Sequence, residues 1–134
     1  MNILVLGASG MLGNAMLRLL SERDDWTVYG TVRSYNPTLQ AMAPRAKLIL
    51  GIHADQPDSL MSAFVQSRPA VVINCVGLVK QLANAEDPLD AVPINAVLPH
   101  RLARLCDVAS ARLVHVSTDC VFTGRKGNYV EGDA

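Results

Sequence analysis

The stretch at residues 3–13 constrains this chain more than any other. It opens with four apolar residues in a row, which is typical of a buried strand, and continues with glycines at positions 7, 10 and 13. Helix-forming residues follow at positions 14–23. A strand, a glycine-rich turn and a helix in this order are the context that a dinucleotide-binding turn requires.

Each glycine is predicted to have a separate role. Gly7 allows a sharp turn as the chain leaves the strand, Gly10 allows a pyrophosphate to approach the backbone, and Gly13 allows the helix to pack on the strand. The N–H groups and positive end of the helix would then face the phosphates. A glycine-rich turn without a ligand is the alternative. The residues predicted to bind a cofactor here are Gly7, Ser9, Gly10, Met11, Leu12 and Gly13.

Strands and helices are predicted to alternate along the whole chain. The expected strands are residues 3–6, 26–32, 47–50, 70–74 and 113–116, and the expected helices are residues 14–23, 38–42, 58–67 and 95–110. The connection at residues 77–88 is left unassigned, and the polar tail from residue 124 is expected to be a loop. This alternation predicts an α/β Rossmann-like fold, a doubly wound parallel sheet of strand order 3-2-1-4-5, in one domain spanning residues 1–134.

Two finer structural expectations concern the core. The first helix should bury one face, and the helical spacing of Leu12, Met16, Leu19 and Leu20 makes these its predicted core side chains. Two of the three cysteines, Cys75 and Cys106, are expected to be small core residues.

The composition argues against several classes of function. Half of the residues are hydrophobic and the formal net charge is zero, so a nucleic-acid-binding basic face is not expected. We also expect no membrane span and no signal peptide, because no apolar run is long enough and the chain begins directly with a strand. Three widely spaced cysteines form neither a metal motif nor a disulfide framework. A cytoplasmic protein without a metal site is therefore predicted.

The residues after the second predicted strand favour NADP over NAD. NAD-binding domains place a carboxylate about twenty residues after the glycines, to hold the ribose 2′-hydroxyl. No Asp or Glu occurs at residues 26–54, whereas Arg33 lies where a 2′-phosphate would be, with Thr31 and Ser34 as neighbouring hydroxyl donors. A guanidinium group binds phosphate through two hydrogen bonds. An arginine on an ordinary solvated loop is the alternative.

Other segments should meet the glycine turn at the carboxyl ends of the strands, where open α/β sheets bind ligands. His53, Ala54 and Asp55 are predicted to lie beside the adenine, unless His53 is an ordinary exposed loop residue. The small residues Cys75, Val76 and Gly77 would let the nicotinamide half lie close, although they also fit a plain strand end. The hydroxyls of Ser117 and Thr118 are the catalytic candidates, with helix or turn capping as the alternative. 

Several segments also resemble one known family. The glycine motif resembles that of the extended short-chain dehydrogenase/reductases. The stretches at residues 72–77, 86–88 and 94–96 look like the dTDP-4-dehydrorhamnose reductase branch. The most specific match is residues 116–124, followed by Tyr129 and Glu131. In this stretch the branch typically has Tyr where this chain has Cys120. The resemblance covers essentially the whole chain.

The resemblance implies reduction of a nucleotide-sugar keto group by hydride from a nicotinamide cofactor. Thr118 matches the family's catalytic Ser/Thr. The family's proton donor is the Tyr of a Tyr-x-x-x-Lys motif, in which the Lys lowers the pKa of the Tyr. None of the three tyrosines of this chain is followed four residues later by Lys. We therefore expect the 134 residues alone to bind cofactor without turnover, as the N-terminal portion of a longer enzyme.

Alternative functions stay open at this point. A non-catalytic NADP-binding or sensing module would also lack the Tyr and Lys pair. A nucleotide-sugar epimerase or dehydratase would share the glycine turn, and a truncated remnant would have little function of its own. A nucleotide sugar is the expected small-molecule partner, and a homodimer is the candidate assembly.

Overall fold

The computed structural model describes residues 1–78, 87–118 and 123–133. Five strands form one parallel sheet: β1 (Asn2–Leu6), β2 (Thr27–Thr31), β3 (Lys47–Ile49), β4 (Val71–Asn74) and β5 (Arg112–His115). Their order is β3-β2-β1-β4-β5. The predicted Rossmann-like fold and strand order are confirmed.

Within the described residues, five α-helices connect or flank these strands: α1 (Met11–Ser21), α2 (Pro37–Met42), α3 (Pro57–Ser67), α4 (Pro88–Ala91) and α5 (Leu98–Ala109). A π-helical segment, Val92–Val97, joins α4 to α5. None of the helices in the described ranges has the length and apolar composition of a membrane span.

The central strand β1 is buried on both faces. Ile3 and Val5 pack into a core with α1 and α2 on one side of the sheet, whereas Leu4 and Leu6 pack into a core with α3 and α5 on the other. Successive side chains of a strand point to opposite faces. A run of four apolar residues therefore supplies both cores at once, as a parallel sheet covered on both faces requires.

The first helix buries the predicted face only in part. Its buried residues include Gly13 and Leu17, and Met16 and Leu20 are half-buried against the same core. Leu19 is 62% exposed, so its predicted core position was wrong. Because the contact with the sheet is centred on Gly13, Leu17 four residues later lies directly below it, and Leu19 turns outward.

The helical region before β5 begins at Pro88, whereas the sequence predicted a start near residue 95. Asp87 caps it, its Oδ1 accepting a hydrogen bond from the N–H of Leu89 at 2.8 Å. Pro93 and Pro99 cannot donate backbone hydrogen bonds, so a continuous α-helix through both positions is unfavourable. The chain accommodates this region through a wider π-helical segment, in which the N–H of Leu98 bonds to the carbonyl of Pro93.

The structure confirms the predicted burial of one of the two cysteines. Cys106 is buried as predicted, whereas Cys75 is only half-buried against the core of α1 and α2. Within the described part of the tail, residues 123–133 contain turns and bends but no helix or strand. The described residues bring together no group of three His, Cys, Asp or Glu side chains that could hold a metal ion.

Candidate functional site

The turn between β1 and α1 has the geometry that its glycines predict. Gly7 has a φ of +76°, a left-handed conformation that side-chain-bearing residues rarely adopt. The N–H of Gly10 donates to the carbonyl of Gly7 at 3.0 Å, and the N–H of Asn14 donates to the carbonyl of Gly10 at 2.8 Å. Gly10 is thus the N-cap of α1, and it has no side chain to cap the first turn.

Gly13 is the point of closest packing between α1 and the turn. A Cβ atom at this position would lie 2.1 Å from the carbonyl oxygen of Gly7 and 3.0 Å from the Cα of Ala8. No rotamer change can relieve this overlap, because the contacted atoms belong to the backbone. The absence of a side chain at Gly13 therefore fixes how closely the helix approaches the strand.

Thr31 at the end of β2 also holds the turn. The N–H of Gly7 donates to Thr31 Oγ1 at 3.2 Å, and the N–H of Ala8 donates to the Thr31 carbonyl at 3.1 Å. The sequence suggested this hydroxyl as a donor to a cofactor phosphate. The buried Thr31 side chain instead accepts a hydrogen bond from the turn, so it positions the turn whether or not it also contacts a ligand.

A cleft of about 690 Å³ opens at the carboxyl ends of the strands. Most of the residues that line it come from the glycine turn, from the segments that follow β2, β3 and β4, and from the region around α4. The predicted cofactor-binding residues that line it are Gly7, Ser9, Gly10, Arg33, His53, Ala54, Cys75, Val76 and Gly77. The fold thus brings together residues that lie up to seventy positions apart in sequence.

Other predicted residues do not line the cleft. Gly13 is buried beneath the turn, the Met11 side chain is 93% exposed, and Leu12 is half-buried. Ser34 is exposed beside Arg33. A cofactor role for Met11 and Leu12 would therefore rest on their backbone N–H groups in the first turn of α1, which have no acceptor within the helix.

Backbone contacts position the segment after β3. The N–H of His53 donates to the Ser59 hydroxyl at 2.7 Å, and that hydroxyl is 3.3 Å from the carbonyl of Gly51. His53 is half-buried in the wall of the cleft. Asp55, the last residue of the predicted segment, lines the same wall.

Two asparagines hold the loop that follows β4. The buried Asn74 accepts a hydrogen bond on Oδ1 from the N–H of Val76 at 3.1 Å, and its Nδ2 lies 3.1 Å from Nδ1 of His115 on β5. Asn95 pairs with both backbone groups of Leu78: Oδ1 accepts from its N–H at 2.8 Å, and Nδ2 donates to its carbonyl at 2.9 Å. The loop wall of the cleft is thus fixed by two carboxamides.

The loop after β4 carries a titratable thiol, that of Cys75. Burial raises the pKa of Cys75 above that of an ordinary cysteine. Because desolvation penalises the charged form, the thiol stays protonated at neutral pH. Cys75 therefore presents a neutral, small surface to the cleft.

The predicted catalytic hydroxyls lie outside this cleft. Ser117 and Thr118 follow β5 at the same carboxyl edge of the sheet, where both are exposed, and neither is among the residues that line the cleft. The next two positions of the motif, Asp119 and Cys120, lie outside the described residues. The structure thus places the hydroxyls at the expected edge of the sheet but outside the lining of the cleft.

Tyr129 in the tail forms a local cluster. Its hydroxyl lies 3.0 Å from the Thr123 hydroxyl, and a hydrogen bond with Thr123 is the main cause that lowers the pKa of Tyr129. Asp133 stands four residues later, where the family's proton donor would be followed by Lys, and it pairs with Lys126. This cluster is a structural turn that lacks the Tyr-x-x-x-Lys arrangement.

Sequence reasoning missed the wall formed around α4. Leu89, Asp90, Pro93 and Ile94 line the cleft, whereas the sequence predicted neither an element nor a site between the unassigned connection and the helix from residue 95. Asp87 followed by Pro88 was the available signal, because an aspartate N-cap before a proline is a common way to begin a helix. 

The fold and the cleft together define a Rossmann-like α/β protein with a glycine turn at the carboxyl edge of its sheet. Comparison with known proteins then gives its family. The model of the RmlD substrate binding domain family matches residues 1–134, and the chain belongs to this family.

Curated relatives and a solved structure agree with this assignment. The chain is 34% identical over 127 residues to a dTDP-4-dehydrorhamnose reductase from Streptomyces griseus, covering 92% of this chain and 35% of the relative. It is 32% identical over 124 residues to a protein of the same name from Mycolicibacterium smegmatis, covering 90% of this chain and 31% of that protein. The chain thus spans about a third of the length of these relatives.

The solved structure is described as a hypothetical dTDP-4-dehydrorhamnose reductase from Sulfolobus tokodaii. It is 31% identical in sequence and superimposes with a TM-score of 0.79, covering 100% of this chain and 45% of that one. The resemblance stated from the sequence is therefore confirmed at the level of the family.

Proposed function

We propose that this chain forms the NADP-binding part of a nucleotide-sugar reductase. The observation that supports this most is the cleft at the carboxyl edge of the sheet. There the glycine turn, Arg33 after β2, His53 after β3 and the loop after β4 line one cleft. A dinucleotide needs such an arrangement, because its phosphates, adenosine and nicotinamide bind different segments.

The choice of NADP rests on Arg33. It lines the cleft, its side chain is exposed, and it follows β2, where an acid would hold the ribose of NAD. Asp55 also lines the cleft but follows β3, so it does not take the place of that acid. An exposed arginine has the freedom to form two hydrogen bonds with a 2′-phosphate.

The proposed reaction is reduction of a keto group on a nucleotide sugar, as the names of the relatives indicate for those proteins. A bound nicotinamide would supply hydride to the carbonyl carbon. The Thr118 hydroxyl would hold the carbonyl oxygen, and the proton would come from a Tyr of the Tyr-x-x-x-Lys type, which the 134 residues do not contain. The contribution of this chain is to bind and orient the cofactor.

Binding of NADPH and NADH to the purified chain, followed by nicotinamide fluorescence, tests the proposal. We expect NADPH to bind more tightly. Arg33→Asp should weaken NADPH binding about 10- to 100-fold, because charged hydrogen bonds contribute roughly 1.5–3 kcal/mol, and should change NADH binding much less.

Arg104→Asp is the matched control. Arg104 is exposed on α5 and does not line the cleft, so the same change of charge should leave both affinities unaltered. Equal losses for NADPH and NADH in Arg33→Asp would contradict the NADP assignment. Absence of binding for either nucleotide to the folded wild-type chain would contradict the cofactor site itself.

A further inference from the structure

The segments that follow β2 and β3 stay paired beyond the ends of the two strands. The last pair within the strands is Thr31 with Ile49. Past it, the N–H of Val32 donates to the Ile49 carbonyl at 3.0 Å, and the N–H of Gly51 donates to the Arg33 carbonyl at 3.2 Å. The backbone at Arg33 is therefore held by the segment that follows β3.

This segment turns back on itself at Gly51. Gly51 has a φ of +74°, and the next residue, Ile52, donates its N–H to the Val32 carbonyl at 3.2 Å. Gly51 and Ile52 thus bond to Arg33 and then to Val32, in the reverse order of the chain, which shows that the direction of the segment has changed. A change in this turn would move the backbone of Arg33.

A single side chain closes the turn. The Ser59 hydroxyl accepts a hydrogen bond from the N–H of His53 at 2.7 Å, and it donates to the Gly51 carbonyl at 3.3 Å. Ser59 is the third residue of α3, is half-buried and does not line the cleft. Its hydroxyl is thus used to hold the turn, and it does so from outside the candidate site.

The position of the Arg33 side chain depends on its backbone. The side chain is exposed and lines the cleft, and none of the ion pairs among the described residues includes it. A guanidinium group binds phosphate best when two of its N–H groups meet two oxygens at once. Such a contact is sensitive to where the side chain starts, and the turn at Gly51 fixes that point.

We infer that Ser59 is a positioning residue for the 2′-phosphate of NADP, acting through the turn at Gly51 and the backbone of Arg33. This inference rests on the proposed cofactor site. NADH has a hydroxyl where NADPH has the 2′-phosphate, so it offers Arg33 no charged partner. Ser59 therefore affects the discrimination between the two nucleotides, although it touches neither.

The affinities of Ser59 variants for NADPH and NADH, followed by nicotinamide fluorescence, test the inference. Ser59→Ala should raise the Kd for NADPH about fivefold, as loss of neutral hydrogen bonds allows, and should change the Kd for NADH by less than about twofold. Ser59→Thr keeps the hydroxyl and should retain the wild-type ratio of the two Kd values. All affinities are measured at a temperature where circular dichroism shows each variant to be folded.

Ser62→Ala is the matched control. Ser62 is exposed on the same helix, its hydroxyl accepts from the Gln66 side chain at 3.0 Å, and it does not line the cleft. The same loss of a hydroxyl should leave both Kd values unaltered. Equal changes in Ser62→Ala and Ser59→Ala would mean that any hydroxyl of α3 has this effect, and the inference would be wrong.

A double variant tests whether Ser59 acts through Arg33. Arg33→Ala removes the guanidinium, so adding Ser59→Ala to it should change the Kd for NADPH by less than about twofold, because two residues that act as a unit are not additive. A further fivefold loss in the double variant would show that Ser59 acts on another part of the ligand, which contradicts the inference.

The outcomes distinguish the inference from the function on which it rests. Equal losses of NADPH and NADH affinity in Ser59→Ala, or no loss, overturn the positioning role and leave the cofactor site standing. A changed ratio in Ser59→Thr also overturns it, because the hydroxyl would then not be responsible. If the wild-type chain binds neither nucleotide, or if Arg33→Ala leaves the ratio unchanged, the proposed function fails and the inference fails with it.

Discussion

The two sides of the cleft are built on different physical principles. On the β1 side, backbone packs against backbone: Gly13 leaves no space for a Cβ, and Gly7 adopts a left-handed conformation. On the β4 side, the loop is held by hydrogen bonds from Asn74 and Asn95, and its neighbour β5 is largely exposed. Steric contacts of this kind permit one arrangement, whereas single hydrogen bonds of about 1 kcal/mol permit small displacements.

In the proposed cofactor site, this difference would assign distinct tasks to the two sides. A pyrophosphate has the same shape in every dinucleotide, so a rigid turn suits it. The nicotinamide must meet a substrate, and a wall adjusted by side chains allows its position to be tuned. Substitutions that break the backbone packing of the β1 side should therefore affect folding, whereas those on the β4 side should affect binding.

Gly13→Ala should have the largest effect. The new methyl group would lie 2.1 Å from the Gly7 carbonyl oxygen, and only movement of α1 away from β1 can relieve the overlap. We expect a loss of about 3 kcal/mol or more, at the upper end for overpacked cores. The free energy of unfolding in urea measures it. A loss below about 1 kcal/mol, within the range of ordinary surface substitutions and caps, would show that the turn is not rigid.

Gly10→Ala sharpens the comparison, because it lies in the same turn but faces open space. The nearest atom to its Cβ is the Gly7 carbonyl oxygen at 3.4 Å, an ordinary contact, and its φ of −75° suits alanine. Stability should fall by no more than about 1 kcal/mol, the cost of alanine at an N-cap. The Kd for NADPH should rise about tenfold or more, because the methyl group occupies the approach to the pyrophosphate. Unchanged NADPH affinity would show that the pyrophosphate does not bind next to Gly10.

The β1 side could be predicted from the sequence because its determinants are local. Glycines at fixed spacing after an apolar run dictate a turn, and the roles predicted for Gly7 and Gly13 agree with the backbone geometry. The parallel sheet and its strand order were predicted from the alternation of strands and helices along the chain. The exposed Leu19 was misplaced because helical spacing alone does not say which of two adjacent faces meets the sheet.

The β4 side could be predicted only in part because its determinants are distant in sequence. Cys75, Val76 and Gly77 do line the cleft, but what fixes them is a carboxamide seventeen residues after Leu78 and a histidine on β5. No local sequence pattern predicts hydrogen bonds between residues so far apart in the chain. The wall around α4 was missed for a related reason, since prolines that suggest an interrupted helix are accommodated by a π-helical segment.

Thr31→Val tests how far side chains contribute to the rigid side. Valine keeps the β-branched shape that a strand favours and removes the oxygen that accepts from the Gly7 N–H. We expect a loss of about 1–2 kcal/mol, the cost of leaving a partly buried donor without its partner. Urea denaturation measures it, with Thr27→Val at the start of β2 as the control, expected to change stability by less than about 0.5 kcal/mol. Equal effects of the two substitutions would mean that backbone packing alone holds the turn.

Alkylation of Cys75 should show the smallest effect and reports directly on the adjustable side. Only the thiolate reacts with iodoacetamide, and burial raises the pKa of Cys75. The rate of alkylation of Cys75 should therefore increase at a higher pH than that of free cysteine, whose pKa is about 8.5. Peptide mass spectrometry separates Cys75 from the other cysteines. Bound NADPH should slow the reaction further, because Cys75 lines the cleft, whereas Cys106, buried against α3 and the sheet, should show no such protection. Protection of Cys106 to the same degree would indicate that the nucleotide tightens the whole fold, and the β4 wall would then be no more adjustable than the glycine turn.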